Sequence, residues 1–236
     1  MPTPESVINA PPPRRGIPLG VKIAYSAFIL LHIYLEITVF GARDLLWICD
    51  TAAVLTAIGL WMESSLLLSM QLVGTLVPML LWSADLLCRL FTGHFLLGMC
   101  GYLFDPHDPL INRAASMFHL WLPPLLVWTV WRLGYDRRAW VYQFVFLAGF
   151  FLFCRLVSLP PPEHYFGEPV NINLVFGGFS HPQTHVSAAM YLALLWLTSS
   201  ICIMLPTHVF LCMVLSEPGV SYRSKKAAFK VMVMPT

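Results

Sequence analysis

The chain reads as an all-α polytopic integral membrane protein, a bundle of about six transmembrane helices with both termini on the cytoplasmic side. Three observations predict this. Hydrophobic residues are 58% of the 236 and charged residues only 11%, a balance far from that of a soluble globular domain. Six long apolar stretches recur, separated by polar or proline-bearing turns. The basic residues gather on one side of those stretches: Arg14, Arg15 and Lys22 before the first, Arg132, Arg137 and Arg138 around the turn between the fourth and fifth, and Arg223, Lys225, Lys226 and Lys230 after the sixth. Positive-inside makes that side cytoplasmic, while Asp44, Asp105, Asp108, Glu163 and Glu168 fall on the other.

Residues 1–21 carry Pro11-Pro12-Pro13 and Arg14-Arg15, and are expected to form a disordered cytoplasmic arm. Residues 22–215 hold the spans. The first, 22–40, has no convincing small-x-small cleavage site after it and carries His32 and Glu36, which argues for a retained helix over a signal peptide. The second covers 45–62, and a turn at Glu63-Ser64 leads into the third, 65–90. That stretch is long for a bilayer of about 30 Å, so tilt, a kink near Pro78 or projection is expected. The connector 92–113 has an apolar core, 95–104, of a length that suits an interfacial or re-entrant piece. The fourth span, 115–133, is interrupted by Pro123-Pro124, and the fifth is 140–159. A proline-rich loop, 160–184, leads to the sixth at 185–205, where Pro206 marks a break or kink before the apolar run to Leu215. Residues 216–236 are a basic tail suited to anionic headgroups.

Charges inside spans are costly, roughly 2.5–3.5 kcal/mol each at mid-bilayer on insertion scales, and so mark candidate sites. At about 1.5 Å per residue, counting from the basic side puts Glu36 roughly 21 Å up, Asp50 roughly 18 Å, His119 roughly 21 Å and Arg155 roughly 22 Å. Four helices thus bring an ionisable group to one layer in the outer half of the bilayer. Glu36, Asp50 and His119 are the candidate catalytic residues, and Arg155, Asn171, Asn173 and His185 the candidate substrate-binding ones. His32 and Glu36 are spaced i, i+4, so the carboxylate can accept from the imidazole, and Asp85 and Arg89 have the acid-before-base spacing of a helix ion pair. The alternative is a hydrogen-bonded network that only fixes helix order.

Asp105-Pro-His-Asp108 resembles a metal tetrad superficially, but its prolines favour a turn and no companion motif has zinc spacing. All six cysteines lie in or beside apolar segments with no C-x-x-C pair, which argues against a zinc ribbon, a redox motif or a disulfide scaffold. No metal and no other cofactor is expected. Membrane lipids are the expected partners, and no basic face suggests nucleic acid.

Four stretches, Tyr102-Leu-Phe-Asp105-Pro106, Phe118-His119-Leu-Trp121-Leu-Pro123, Gly134-Tyr-Asp136-Arg-Arg138-Ala and Pro169-Val-Asn171-Ile-Asn173-Leu-Val175-Phe-Gly177, resemble the landmarks of a family of bacterial multi-pass "membrane-associated" proteins. The resemblance implies a bacterial cytoplasmic (inner) membrane location and carries no activity. In the last stretch the asparagines can bond their own backbone and hold a rigid turn, a lid, clamp or plug above the polar layer. In the third, Asp136 is placed to cap the fifth helix.

Three functions compete. The first is an enzyme acting on a lipid or lipid-linked substrate, with Glu36 or Asp50 as base, His119 as acid/base partner and Arg155 on an anionic headgroup. The second is a proton-coupled transporter or channel-like protein relaying protons through Glu36, Asp50 and His119. The third is a non-catalytic scaffold or assembly protein.

Overall fold

The computed structural model describes residues 16–106, 109–158, 160, 171–178 and 182–215. Regular structure among them is helical, apart from one isolated bridge between Gly177 and Pro182. The helices are α1 Leu19–Val39, α2 Ile48–Met62, α3 Ser65–Thr92, the short α4 Leu110–Ala115, α5 Phe118–Leu133, α6 Ala139–Val157 and α7 Ala188–Leu215. By length and composition α1, α3, α6 and α7 can cross a membrane unaided. With 15 and 16 residues, α2 and α5 reach only about 22–24 Å. Each is preceded by a further helical piece, the 3-10 turn Asp44–Leu46 for α2 and α4 for α5.

One end of the bundle is tied by charge. Lys22 Nζ lies 2.7 Å from Glu63 Oε1, which also accepts from Ile17 N at 3.1 Å. That pairing holds the Glu63 carboxyl below the ordinary glutamate range, the Lys22 hydrogen bond being the largest cause. Arg132 Nη2 donates to Gly16 O at 2.8 Å. Ile17 is buried and α1 begins at Leu19. Residues 16–21 are therefore ordered where a disordered arm was expected, because their backbone groups have partners on two other turns. The rest of the arm, 1–15, and the tail, 216–236, lie outside the described residues.

The α2–α3 turn is short because each residue does one job. Glu63 takes the left-handed conformation (φ 49°) that closes α2, and Ser64 Oγ accepts from Leu67 N at 3.2 Å to open α3. α3 is the central helix, packed against α2, α5, α6 and α7. Pro78 lacks the N–H that would bond the Gly74 carbonyl, yet the helix continues through it. At Gly74 α6 comes close: a Cβ there would lie 2.5 Å from Gln143 Nε2. The same accounting applies in α5. Pro123 leaves the His119 carbonyl without its helical donor, and Ser83 Oγ of α3 stands 3.3 Å from it.

Two expectations for the sixth helix are revised. It starts at Ala188, not at His185, because Ser187 Oγ accepts from Met190 N at 3.3 Å and caps it there. It also runs past Pro206 to Leu215 without a break, because the turns before the proline, Ser199–Met204, widen into a π-helix. A π stretch bonds i to i+5 and tolerates the donor that proline lacks.

The expected Asp85–Arg89 pair is not made. Asp85 is fully buried and accepts from Leu97 N (2.6 Å), Gly98 N (3.1 Å) and Cys100 N (3.1 Å), pulling the connector onto α3. Arg89 instead lies over the rings of Phe95 (4.9 Å) and Phe104 (5.3 Å). Asp85→Ala would leave three amide N–H groups without their acceptor. It should destabilise the protein by about 3 kcal/mol or more, read as a lowered melting temperature in detergent together with faster proteolysis within residues 94–104. An unchanged cleavage rate would mean the connector is held by its aromatic contacts alone.

Candidate functional site

His32 on α1 is the centre of the most buried group of ionisable side chains. Its Nε2 lies 2.7 Å from Asp50 Oδ1 on α2, and its Nδ1 lies 3.6 Å from Glu36 Oε1, one turn further along α1. His32, Glu36 and Asp50 are only 1%, 4% and 7% exposed. The imidazole is fixed by aromatic rings, stacked on Phe28 at 5.6 Å and edge-on to Phe118 at 5.0 Å, while Trp121 packs against Phe28 at 4.7 Å. Such a shell makes the ring direction a property of the fold.

Asp50 owes its position to the start of α2. It is the third residue of that helix, where the helix dipole favours a carboxylate. No local side chain caps α2. The cap comes from 125 residues away: Asn173 Oδ1 accepts from Ile48 N at 2.8 Å, and its Nδ2 donates to Leu46 O at 2.7 Å. Asn173 Nδ2 also lies 3.3 Å from Cys154 Sγ. One amide thus joins the 171–178 loop, the entry to α2 and the end of α6.

Asn171 holds the loop itself. Its Nδ2 donates to Gly178 O at 2.7 Å and its Oδ1 accepts from Phe176 N at 2.8 Å, with left-handed φ at Asn171, Asn173 and Leu174. The loop has the self-bonded character expected of it. Asp136 does not cap α6 as expected: its Oδ1 accepts from Arg138 N at 3.0 Å, one residue ahead of the helix, which has no side-chain cap.

His119 stands beside the cluster without bonding to it. Phe118 lies between the rings, 5.0 Å from His32 and 4.1 Å from His119. His119 Nδ1 donates to Ser116 O at 2.9 Å, since a carbonyl can only accept, and this leaves Nε2 as the acceptor nitrogen of the neutral ring. Trp82 stacks on it at 4.5 Å. Tyr102, from the 3-10 turn Gly101–Phe104, joins this side. It is 38% exposed.

Arg155 faces elsewhere. Its Nη1 is 3.4 Å from Val175 O and its guanidinium lies 3.6 Å over Phe176. Its neighbour Cys154 is the residue that turns inward, toward Leu46 O and Asn173. His185 is exposed in the bend before α7. His107, Asp108, Glu163, His164, Glu168 and His181 lie outside the described residues.

Each of His32, Glu36 and Asp50 can offer one donor atom, all within 4.8 Å of one another, and a nitrogen with two carboxylate oxygens is a set that divalent transition metals accept. In this structure His32 Nε2 and Asp50 Oδ1 stand at hydrogen-bond distance, 2.7 Å. Two ligands of one zinc-sized ion sit about 3.3 Å apart, so the pair would have to open by roughly half an ångström to share one. What the arrangement can do is orient an imidazole and offer its two nitrogens to two acids.

An all-helical chain with membrane-length helices and a buried histidine–carboxylate cluster defines the class. No protein-family model, curated protein or solved structure matches the chain.

Sequence reasoning paired His32 with Glu36 but missed its bond to Asp50, and missed the long-range cap that Asn173 gives α2. Asn173→Ala should cost about 1–2 kcal/mol, seen as a lower melting temperature in detergent. Asn173→Asp, which keeps the acceptor for Ile48 N and loses the donor for Leu46 O, should fall between the two. If Asn173→Ala melts like wild type, the α2 start is satisfied some other way.

Proposed function

We propose that all six helices, α1, α2, α3, α5, α6 and α7, cross the inner membrane of a bacterial cell with both termini cytoplasmic. We further infer that the His32–Asp50–Glu36 group is an acid–base site in the outer half of the bilayer, acting on a lipid or lipid-linked substrate. What supports the topology is the end of the bundle that carries Lys22, Arg132, Arg137 and Arg138 beside Glu63. What carries the site is the 2.7 Å bond between a buried imidazole and a buried carboxylate. Asp50 fixes the ring by that bond, and an imidazole so held is placed to take a proton from a substrate hydroxyl or return one to a leaving oxygen. Glu36 faces the other nitrogen, and His119, with Nε2 as acceptor, is the second base within reach of the same aromatic wall.

A second reading is proton-coupled transport, favoured by one observation. Asp50, His32 and Glu36 stand in series across two helices, so a proton received on one ring nitrogen can be released from the other. A third makes the same bond a fastener between α1 and α2 that serves assembly alone.

Two experiments test the proposal. In a background without other cysteines, Arg137→Cys should resist a membrane-impermeant thiol reagent in intact cells and His94→Cys should react. Labelling at Arg137→Cys would overturn the orientation. For function, Asp50→Asn and His32→Gln should insert and melt close to wild type, because both retain hydrogen-bonding groups. Both should reproduce the lipid profile of a deletion strain, a loss of about 100-fold or more in turnover. A wild-type lipid profile with a lost proton flux in proteoliposomes would favour the transport reading. Full complementation by both variants would leave only the fastener.

A further inference from the structure

α6 and α7 run side by side in opposite directions, joined where Trp196 Nε1 donates to Phe144 O at 2.9 Å. Nearer the α6 C-terminus they part, leaving an apolar cavity of about 230 Å³, open along its outer side. Ala148, Ala189 and Ala193 make room for it, and Phe151, Leu152 and Trp196 line it. The groove faces away from the core: Leu152 is 54% exposed and Leu156 75%. In a bilayer this side meets lipid chains.

Ala148, Phe151, Leu152 and Arg155 are spaced i, i+3, i+4 and i+7, so Arg155 continues the groove face one turn further on. It is half-buried and always charged. Among the described residues no carboxylate pairs with it. Its one hydrogen bond is the long contact to Val175 O (3.4 Å), and Phe176 covers one face. The remaining N–H donors are not buried. The first turns of α7 reach the same stretch of loop, where Tyr191 Oη donates to Leu174 O at 2.9 Å.

An apolar slot on the lipid side, headed by a cation with no acid beside it among the described residues, matches an amphiphile with an anionic head. We propose that this groove seats one acyl chain of an anionic phospholipid and that Arg155 binds its phosphate. The planar guanidinium presents parallel donors that two phosphate oxygens can accept. Its stacking on Phe176 holds the fork at a fixed angle without neutralising it. The small side chains at 148, 189 and 193 admit a chain between the helices, where larger ones would close the gap. This site is separate from the His32–Asp50 cluster. It stands whether or not that cluster turns a lipid over.

The test uses the full-length protein in nanodiscs of phosphatidylcholine with a graded fraction of phosphatidylglycerol, with retained lipid counted by native mass spectrometry after ejection. Wild type should retain phosphatidylglycerol in preference to phosphatidylcholine. Arg155→Gln should lower that preference about tenfold, Arg155→Lys should keep part of it, and Ala193→Trp, which fills the groove, should lower retention of both lipids. Circular dichroism and size-exclusion profiles of the variants should match wild type. Ala193→Leu, a smaller filler, replaces any variant that fails to fold. Inorganic phosphate at millimolar concentration should not displace the lipid. Equal retention of the two lipids by wild type, or unchanged retention in Arg155→Gln or in the filled-groove variant, overturns the proposal. Displacement by phosphate alone, indifferent to the filler, overturns it in favour of a free-anion site.

Discussion

Burying a polar group between apolar helices is costly unless it is paired, and most buried polar groups of this bundle take partners within the protein, the side-chain amides of Asn112 and Gln143 being exceptions. Most of the polar geometry follows from that constraint. The hydroxyls of Thr56, Thr75 and Thr207 bond back to carbonyls four residues earlier on their own helices, the cheapest local solution. Where a helix itself leaves a backbone group without a partner, another element comes within reach of it. Pro123 orphans the His119 carbonyl and Ser83 of α3 approaches it; α2 begins without a local cap and Asn173 supplies one across the fold. The two ends solve the problem differently. One uses ion pairs, such as Lys22 with Glu63, and the other uses side-chain amides and carboxylates on bare backbone N–H groups.

The His32–Asp50 bond belongs to the same accounting. It depends on α2 starting where it does, since Asp50 sits in the first turn, and that start depends on a loop residue far along the chain. The loop in turn depends on left-handed backbone at Asn171, Asn173 and Leu174. Strain of that kind persists only where surrounding contacts over-determine it, and here they do: Asn171 alone contacts three backbone groups of the loop. The His32–Asp50 pair is thus held by a chain of dependencies that begins in irregular structure.

The helices were legible in the sequence because hydropathy is a one-dimensional signal. The membrane-length apolar runs became helices, and Glu63-Ser64 became the turn the residues suggest. Height along a helix was also countable, which is why Glu36, Asp50 and His119 could be considered together. Direction around the axis was not. Arg155 and Cys154 differ by one residue and about 100° of helix, and it is Cys154 that faces Asn173 and Leu46. Asp85 illustrates a different gap. Its i, i+4 neighbour Arg89 was visible in the sequence, whereas amides 12 to 15 residues later become partners only when the chain folds back. The run past Pro206 was hidden because proline statistics describe α-helices and the turns before it are π.

That π stretch sets the phase of α7. The positions that pack toward the rest of the bundle, the partly buried Leu192 and Trp196 at the edge of the groove and the buried Ser200 and Met204, recur every four residues, while a regular helix repeats about every 3.6. An α-helix with that pattern would swing its contact stripe by about 40° per turn and lose α6 or α3 within two turns. The wider turns from Ser199 to Met204 absorb the excess and return Thr207, Leu211 and Leu215 to the inside. In genetic terms α7 behaves as a regular helix carrying one inserted residue. A one-residue deletion within 199–204 is then the length change this helix can best accommodate, by reverting to α geometry with both contact stripes still aligned.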